Sequence, residues 1–255
     1  MRVGAAQICI SGTLSKNLDK IASYVEKARK KRLELIVFPE CCLTGYLPTT
    51  RTKPHGRIDV DDALDEVKVL AREAETALIV GANYPVKGAI YNRSFAISRT
   101  GRMVATYDKA HLYEDDVRYY REGRKPGVFR LNGVPFGMQI CVDQRHPEGW
   151  RLIASEGARV IAHIVHMEGK KAGWKTPVIE AHLVSRAAED GVFVISSNIA
   201  STPPNHLSMI VDPDGIVISR ASSGREQLVC GRIDPSRATH KFLKTRREDL
   251  FGRLK

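Results

Sequence analysis

Three residue types at separate places in the chain can combine into a thiol nucleophile site: Glu40, Lys109 and Cys141. A cysteine attacks only as its thiolate, and a free thiol ionises near ~8.5, so it needs help at neutral pH. A carboxylate within hydrogen-bond reach can take the proton, and a nearby cation favours the anion. The same cation, with a backbone N–H just after the cysteine, can hold the oxyanion of a tetrahedral intermediate. Taken singly, each residue also has a plainer reading. Glu40 fits a solvated surface acid, Lys109 a solvated cation, and Cys141 a buried apolar cysteine. A Cys–His pair is the usual alternative, but His146 sits in the turn after Cys141 and gains no case from that position. The lone His111 reads as structural rather than as a ligand.

Each of the three follows an apolar run, and strand ends in α/β folds are where polar groups are presented to a site. Glu40 closes Phe38-Pro39-Glu40 after the strand Leu35 to Phe38, and Leu43-Thr44-Gly45-Tyr46 follows on a tight turn. Lys109 lies in Tyr107-Asp108-Lys109-Ala110-His111-Leu112, directly after a strand. Cys141 ends the strand Phe136 to Ile140, ahead of a sharp turn and a helix from Pro147 to Glu156.

The remaining elements alternate in the same way. Apolar periodicity predicts a strand over Arg2 to Ile10, a helix from Ser15 (its cap) to Lys31, a helix over Ala63 to Ala74 and a strand over Leu78 to Tyr84. A hairpin joins Tyr91 to Ser98 with Met103 to Tyr107. The polar stretch Tyr113 to Pro126 reads as a long surface loop. Val128 to Leu131, Val160 to Val165 and Val192 to Ser196 read as strands, and Val178 to Ala188 as a helix. Leu207 to Val211 pairs with Ile216 to Ser219 about Pro213-Asp214-Gly215, and Gln227 to Ile233 is the last strand. This order predicts sheets covered by helices in one layered α/β domain, with no linker and no clear repeat. The basic tail from Pro235 reads as an arm on a partner subunit or as a loose end.

The 255 residues are 43% hydrophobic, enough for one large core, and carry a net charge of +11 from 40 basic and 29 acidic residues. The basic residues are spread along the chain, and no zinc-finger spacing, aromatic RNA-binding signature or basic zipper accompanies them, so nucleic acid is not the expected primary partner. Five cysteines without regular spacing argue against a disulfide framework and for a reduced, cytoplasmic compartment. The apolar stretch Val3 to Ile10 lacks a cleavable signal layout, and no run approaches a membrane span.

The order and context of the three sites resemble the nitrilase superfamily of carbon–nitrogen hydrolases. The matching stretches are Phe38-Pro39-Glu40 with Leu43-Thr44-Gly45-Tyr46, Tyr91-Asn92, Tyr107 through Leu112, Phe136-Gly137, Ile140-Cys141-Val142-Asp143, Arg145-His146-Pro147-Glu148, and Ser185 through Glu189. Together they run from residue 1 to about 233. The resemblance implies a four-layer α-β-β-α sandwich of two stacked mixed sheets in a single domain, 1–255 with the tail at 235–255. It also implies a homodimer or larger homo-oligomer, and no metal or organic cofactor. It assigns Glu40 as general base, Lys109 as stabiliser of the tetrahedral intermediate, Cys141 as nucleophile and the Val142 N–H as oxyanion donor. The reaction implied is thioester formation with loss of ammonia or an amine, then hydrolysis by water that Glu40 activates.

Three features depart from the family pattern. Many members carry a second glutamate after the lysine; here the aligned residue is Asp116, one methylene shorter, which puts its reach in question. Val142-Asp143 stands where nitrilases often have Trp-Glu, which favours a small amide or N-carbamoyl substrate over a nitrile. Ile164-Val165-His166-Met167 replaces a segment usually richer in small residues and proline, and suggests an unusual substrate. Tyr46, Asp116, His166 and Met167 are the expected pocket residues. His166 fits either a ligand for a substrate carboxylate or a satisfied strand-end histidine. Nitrile hydrolysis and a catalytically inactive, ligand-binding member of the same fold are the alternatives.

Overall fold

Alternating side chains sort the strands onto two faces, and three apolar clusters follow from that sorting. A computed structural model describes residues 1–169, 174–247 and 249. The first sheet contains β1 (Arg2–Gln7), β2 (Leu35–Val37), β3 (Ala77–Val86), β4 (Ala89–Ile97), β5 (Met103–Asp108) and β12 (Gln227–Arg232), in the order β12-β1-β2-β3-β4-β5. The second contains β6 (Gly127–Leu131), β7 (Val134–Ile140), β8 (Val160–Ile164), β9 (Phe193–Ser197), β10 (Met209–Val211) and β11 (Val217–Arg220), in the order β11-β10-β9-β8-β7-β6. Each sheet is mixed. In the first, β1-β2-β3 pair in parallel; in the second, β7-β8-β9 do.

Val3, Leu35, Val37 and Ile79 face Phe136, Ile140, Ile164 and Ile195 in a cluster between the sheets. The opposite face of the first sheet, with Ile36, Leu78 and Val80, is covered by α1 (Leu14–Lys30) and α3 (Arg57–Glu73). The opposite face of the second, with Ile161 and Val194, is covered by α4 (Pro147–Ser155) and α5 (Lys175–Asp190) through Trp150, Ile153 and Leu183. The result is the α-β-β-α sandwich implied by the sequence resemblance. Close layer contact has a local cause at Gly137: a Cβ there would lie 2.2 Å from Ile153 Cγ2, so only glycine lets α4 rest on β7. Among the described residues no helix is long and apolar enough to cross a membrane.

Several boundaries differ from the sequence reading. Helix α1 begins at Leu14 behind Thr13, so Ser15 sits inside the first turn and not at the cap. The Asn17 side chain instead ties that end down, accepting from the Ser11 N–H at 2.8 Å and donating to the Leu43 carbonyl at 3.1 Å. Helix α3 starts at Arg57, not Ala63; Arg57, Ile58 and Asp59 of its first turn are exposed, and the buried stripe begins only at Val60. A short helix, α2 (Leu47–Thr50), follows Tyr46. Strands β3 and β4 form a long hairpin closed at Lys87 and Gly88, both at positive φ (47° and 81°), the geometry that tight hairpin turns demand. The stretch Tyr113 to Pro126 is not simply surface loop. It holds a 3-10 turn over Glu114–Arg118 and buries Asp116 and Tyr120.

The tail also departs from expectation. Through Arg247 it packs on its own chain: Ala238 is buried, His240 Nε2 meets the Ala158 carbonyl at 2.8 Å, and Arg237 reaches Asp212 at 2.9 Å. Residues 248 and 250–255 of the expected arm lie outside the described residues.

Candidate active site

The carboxyl ends of β2, β5, β7 and β8 meet at one end of the two-sheet stack, and each delivers a polar residue. After β2, Phe38 still pairs with Ile79, then Pro39 and Glu40 turn inward and Cys41 takes a left-handed φ of 51°. Gly81 on β3 makes room for this turn, since a Cβ there would lie 2.6 Å from the Cys41 nitrogen. Lys109 follows β5, with its N–H on the Asn92 carbonyl at 2.9 Å. Cys141 follows β7 with a φ of 48°, on the first residue of a 3-10 turn over Cys141–Arg145.

A buried carboxylate builds the turn at Cys141. Asp143 Oδ2 accepts from the Ile140 N–H at 3.0 Å and the Tyr107 hydroxyl at 2.8 Å. Its Oδ1 accepts from the His111 N–H at 3.0 Å and meets His111 Nδ1 at 2.7 Å. His111 in turn stacks on His146, with ring centroids 3.7 Å apart. Both histidines therefore serve the turn. Hydrogen bonding to Asp143 raises the His111 pKa, while burial and the neighbouring His111 lower that of His146.

The expected residues come together around one buried ammonium. Lys109 Nζ donates to Glu40 Oε1 at 2.9 Å and to Asp116 Oδ2 at 2.7 Å, and all three side chains are fully buried. An isolated charge at such a site would be prohibitively costly, so the two carboxylates and the ammonium must be read as one unit. Burial opposes the Lys109 charge, but Glu40, Cys141 and Asp116 outweigh it and hold the pKa well above the ordinary lysine value. Glu40 is fixed from three sides: Lys109 and the Asn92 amide (2.6 Å) on Oε1, and the His166 N–H (2.7 Å) on Oε2. Its charge also acts on the Cys141 thiol. Burial and the Glu40 charge push that thiol well up, with Lys109 acting the other way, so the resting sulfur is protonated. The nearby cation alone does not offset burial at this sulfur.

Asp116 is turned towards the ammonium and is not among the residues that line the cavity. Its carboxylate reaches Lys109 because the 3-10 turn carries it inward, with the Tyr113 N–H on Oδ2 at 2.9 Å and the Tyr46 hydroxyl on Oδ1 at 2.6 Å. Tyr46 stacks against the His166 ring, 4.8 Å between centroids, and that ring's Nε2 lies 3.3 Å from Thr49 Oγ1. Cys141 opens onto a cavity of about 220 Å3 whose walls include Tyr46, Thr49, Val142, Gln144, His166 and Met167. Glu114, Asp115, Glu168, Arg145 and Lys175 bring both signs of charge to its wall. Being at the start of a helical turn, the Val142 N–H has no acceptor within that turn. The sequence reading placed Asn92 and Asp143 in matching stretches without a role; the structure gives them the base and the turn. It did not single out Gln144, whose buried Oε1 has no partner among the described residues.

A family model described as carbon-nitrogen hydrolase matches residues 2–240. The 2-oxoglutaramate amidase of Bacillus subtilis is 30% identical over 242 residues, covering 88% of this chain and 86% of that protein. The omega-amidase of Saccharomyces cerevisiae is 25% identical over 265 residues, covering 92% and 89%. Among solved structures, a double mutant of an amidase from Nesterenkonia sp. AN1 in complex with acrylamide superposes with a TM-score of 0.85 at 21% identity, covering 98% of this chain and 95% of that one. That likeness carries the fold; the family model and the amidase relatives carry the class of reaction. The chain thus belongs to the carbon–nitrogen hydrolase family, the nitrilase superfamily, as an amidase-type hydrolase of non-peptide carbon–nitrogen bonds.

Proposed function

We propose that this protein hydrolyses small primary amides through Cys141, with Glu40 as base and Lys109 and the Val142 N–H as oxyanion stabilisers. The observation that carries this reading is the buried Glu40–Lys109 pair at 2.9 Å, whose charges both act on a Cys141 thiol that lines an open cavity. Glu40 takes the thiol proton as sulfur attacks the amide carbon. The carbonyl oxygen becomes an oxyanion facing Lys109 Nζ and the Val142 N–H. Glu40 then returns the proton to the departing nitrogen, ammonia leaves, and a thioester to Cys141 remains. Water, losing a proton to Glu40, attacks the thioester; collapse expels the sulfur, which is reprotonated, and releases the carboxylic acid.

Amides with a carboxylate at the far end are the favoured class. The amidase named for 2-oxoglutaramate is the relative at 30% identity, and Arg145 and Lys175 place cations on the cavity wall. N-carbamoyl compounds are the second candidate class. The inactive-binder alternative rests on the unusual segment Ile164-Val165-His166-Met167 and on the shorter Asp116, which still contacts Lys109. A homo-oligomer and a cytoplasmic setting complete the proposal; light scattering in solution checks the first.

Ammonia release from a panel of ω-amides, simple aliphatic amides, N-carbamoyl amino acids and nitriles, run beside Cys141→Ala, tests the reading. Turnover of carboxylate-bearing amides that disappears in the variant is expected. Turnover undiminished in Cys141→Ala, or confined to nitriles, would overturn it.

A further inference from the structure

Behind the nucleophile, on the side away from the cavity and its triad, runs a buried chain of polar groups that the mechanism above does not use. His163 Nε2 lies 3.0 Å from the Cys141 main-chain oxygen. His163 Nδ1 lies 2.9 Å from Ser196 Oγ, and Ser196 Oγ lies 2.8 Å from His206 Nε2. His163, Ser196 and His206 are all fully buried or nearly so. The strand register creates the chain: Gln139, His163 and Ser196 are direct partners across β7, β8 and β9, so their side chains stand on one face. Trp150 of α4 covers the His163 ring at 5.5 Å between centroids, and its indole N–H donates to the Asp143 carbonyl at 3.0 Å.

The chemistry of each partner sets the direction of every hydrogen bond. A carbonyl oxygen only accepts, so His163 Nε2 carries the proton. Burial pushes the His163 pKa down to about 4 and that of His206 down to about 3, so both rings are neutral at physiological pH. His163 Nδ1 is then a bare acceptor for the Ser196 O–H, and the Ser196 oxygen accepts from His206 Nε2–H. The far end of the chain must therefore be a bare nitrogen. His206 Nδ1 is indeed a buried atom without a hydrogen-bond partner among the described residues.

The Cys141 carbonyl and the Val142 N–H belong to the same peptide group. In a trans peptide they point to opposite sides of one rigid plane. A donor that fixes the carbonyl therefore fixes the N–H, and polarisation of the carbonyl strengthens the N–H as a donor. The plane needs such a restraint, because Cys141 sits at a φ of 48°, where a side-chain-bearing residue gains nothing from local preference.

We propose that His163, oriented by Ser196 and His206, is a positioning residue that locks the Cys141–Val142 peptide and aims the Val142 N–H at the oxyanion. This rests on the reading of Cys141 as nucleophile and the Val142 N–H as oxyanion donor. It separates His163 from residues that position the sulfur itself.

The test compares two reactions of Cys141. Amide hydrolysis builds an oxyanion. Disulfide formation with methyl methanethiosulfonate does not: the Cys141 sulfur bonds to the thiomethyl sulfur, the sulfur–sulfonyl bond breaks, methanesulfinate leaves and the thiol proton is lost to base. The second reaction is followed on the peptide that carries Cys141, because Cys9 is exposed and can react too. Removing an oxyanion donor outright costs about 100- to 1000-fold, so a residue acting through that donor is expected to cost about 10- to 100-fold. His163→Leu should lower kcat for the amide by that factor, with KM and the rate of Cys141 thiomethylation within about twofold of wild type. His163→Gln, which can present an N–H near the Nε2 position, should recover most of the loss. Ser196→Ala, a milder change should His163→Leu fold poorly, should lower kcat about 3- to 10-fold with the same unchanged thiomethylation. Wild-type kcat in both His163→Leu and Ser196→Ala would overturn the proposal. So would equal losses in the two reactions without rescue by glutamine, which would mark a structural role only. Wild-type enzyme inactive on every amide, or Cys141→Ala still active, would instead remove the underlying reading of function and the proposal with it.

Discussion

Two cysteines end two strands in nearly the same way, and only one is placed to attack. Cys41 follows β2 at a φ of 51° and Cys141 follows β7 at a φ of 48°, and both feel the charge of Glu40. The Cys41 thiol is spent inside the fold: it donates to Asn83 Oδ1 at 3.2 Å and Asn92 Oδ1 at 3.5 Å. Asn92 then uses its amide N–H groups on Glu40, so Cys41 helps fix which way that amide points. The Cys141 thiol instead lies under the charges of Glu40 and Lys109 and faces the cavity. Burial raises both thiol pKa values, so neither is a ready thiolate. On the proposed reading, what separates nucleophile from structural thiol is a nearby base together with access to the cavity.

The sharpest way to break that contrast is to delete each thiol in turn. Cys141→Ala is expected to reduce amide turnover by about 100,000-fold or more with an unchanged melting temperature. Cys41→Ala should keep turnover within about tenfold but lose about 1–3 kcal/mol of stability, because Asn83 and Asn92 lose a donor in a closed site. Steady-state kinetics and urea melts on both variants read this out; equal kinetic losses would erase the distinction. Glu40→Gln comes next, with an expected loss of about 100- to 10,000-fold in kcat at little change in fold, since Lys109 keeps Asp116. Asp116→Asn is expected to cost less, about 10- to 100-fold in kcat/KM, because Lys109 keeps Glu40 but its second carboxylate becomes neutral.

A smaller effect concerns stability and pH. His163 is pushed down to about 4 in the fold against an ordinary 6.5, so between those values the unfolded chain binds more protons than the folded one. Stability contributed by neutral His163 is therefore full above about 6.5 and declines as pH falls towards 4. Asp190, raised to about 6 by burial, acts with the opposite sign between 3.8 and 6, and His206, pushed down to about 3, acts with the same sign as His163, so the wild-type curve alone mixes these groups. The difference between wild type and His163→Gln isolates the histidine. Urea melts at pH 7.5 and 4.5 should show the wild type losing about 2–3 kcal/mol more than the variant. Parallel losses would show that His163 titrates normally.

The triad was legible in the sequence because each member follows an apolar run inside a recognisable local motif, as in Phe38-Pro39-Glu40 or Ile140-Cys141-Val142-Asp143. The sandwich was legible for the same reason: short continuous apolar runs such as Leu35–Val37 or Val160–Ile164 mark strands buried on both faces. The reach of Asp116 was not, because it depends on a 3-10 turn hidden in a polar stretch that reads as loop. Neither was the chain from His206 to Cys141. His163 is the one polar side chain in Val160–Ile164, which hints at a role, but its partners become neighbours only through the register of β7, β8 and β9. The tail looked loose because its anchors are single contacts, such as His240 on Ala158, with no periodic stripe behind them.

The central claim, a thioester on Cys141, is tested most directly by rapid acid-quench mass spectrometry on the wild-type enzyme mixed with a carboxylate-bearing ω-amide. Quenching during turnover should trap an acyl adduct. Peptide mapping should place that adduct on Cys141, with Cys41 unmodified. An adduct on Cys41, or turnover with no acyl-enzyme at any quench time, would contradict it.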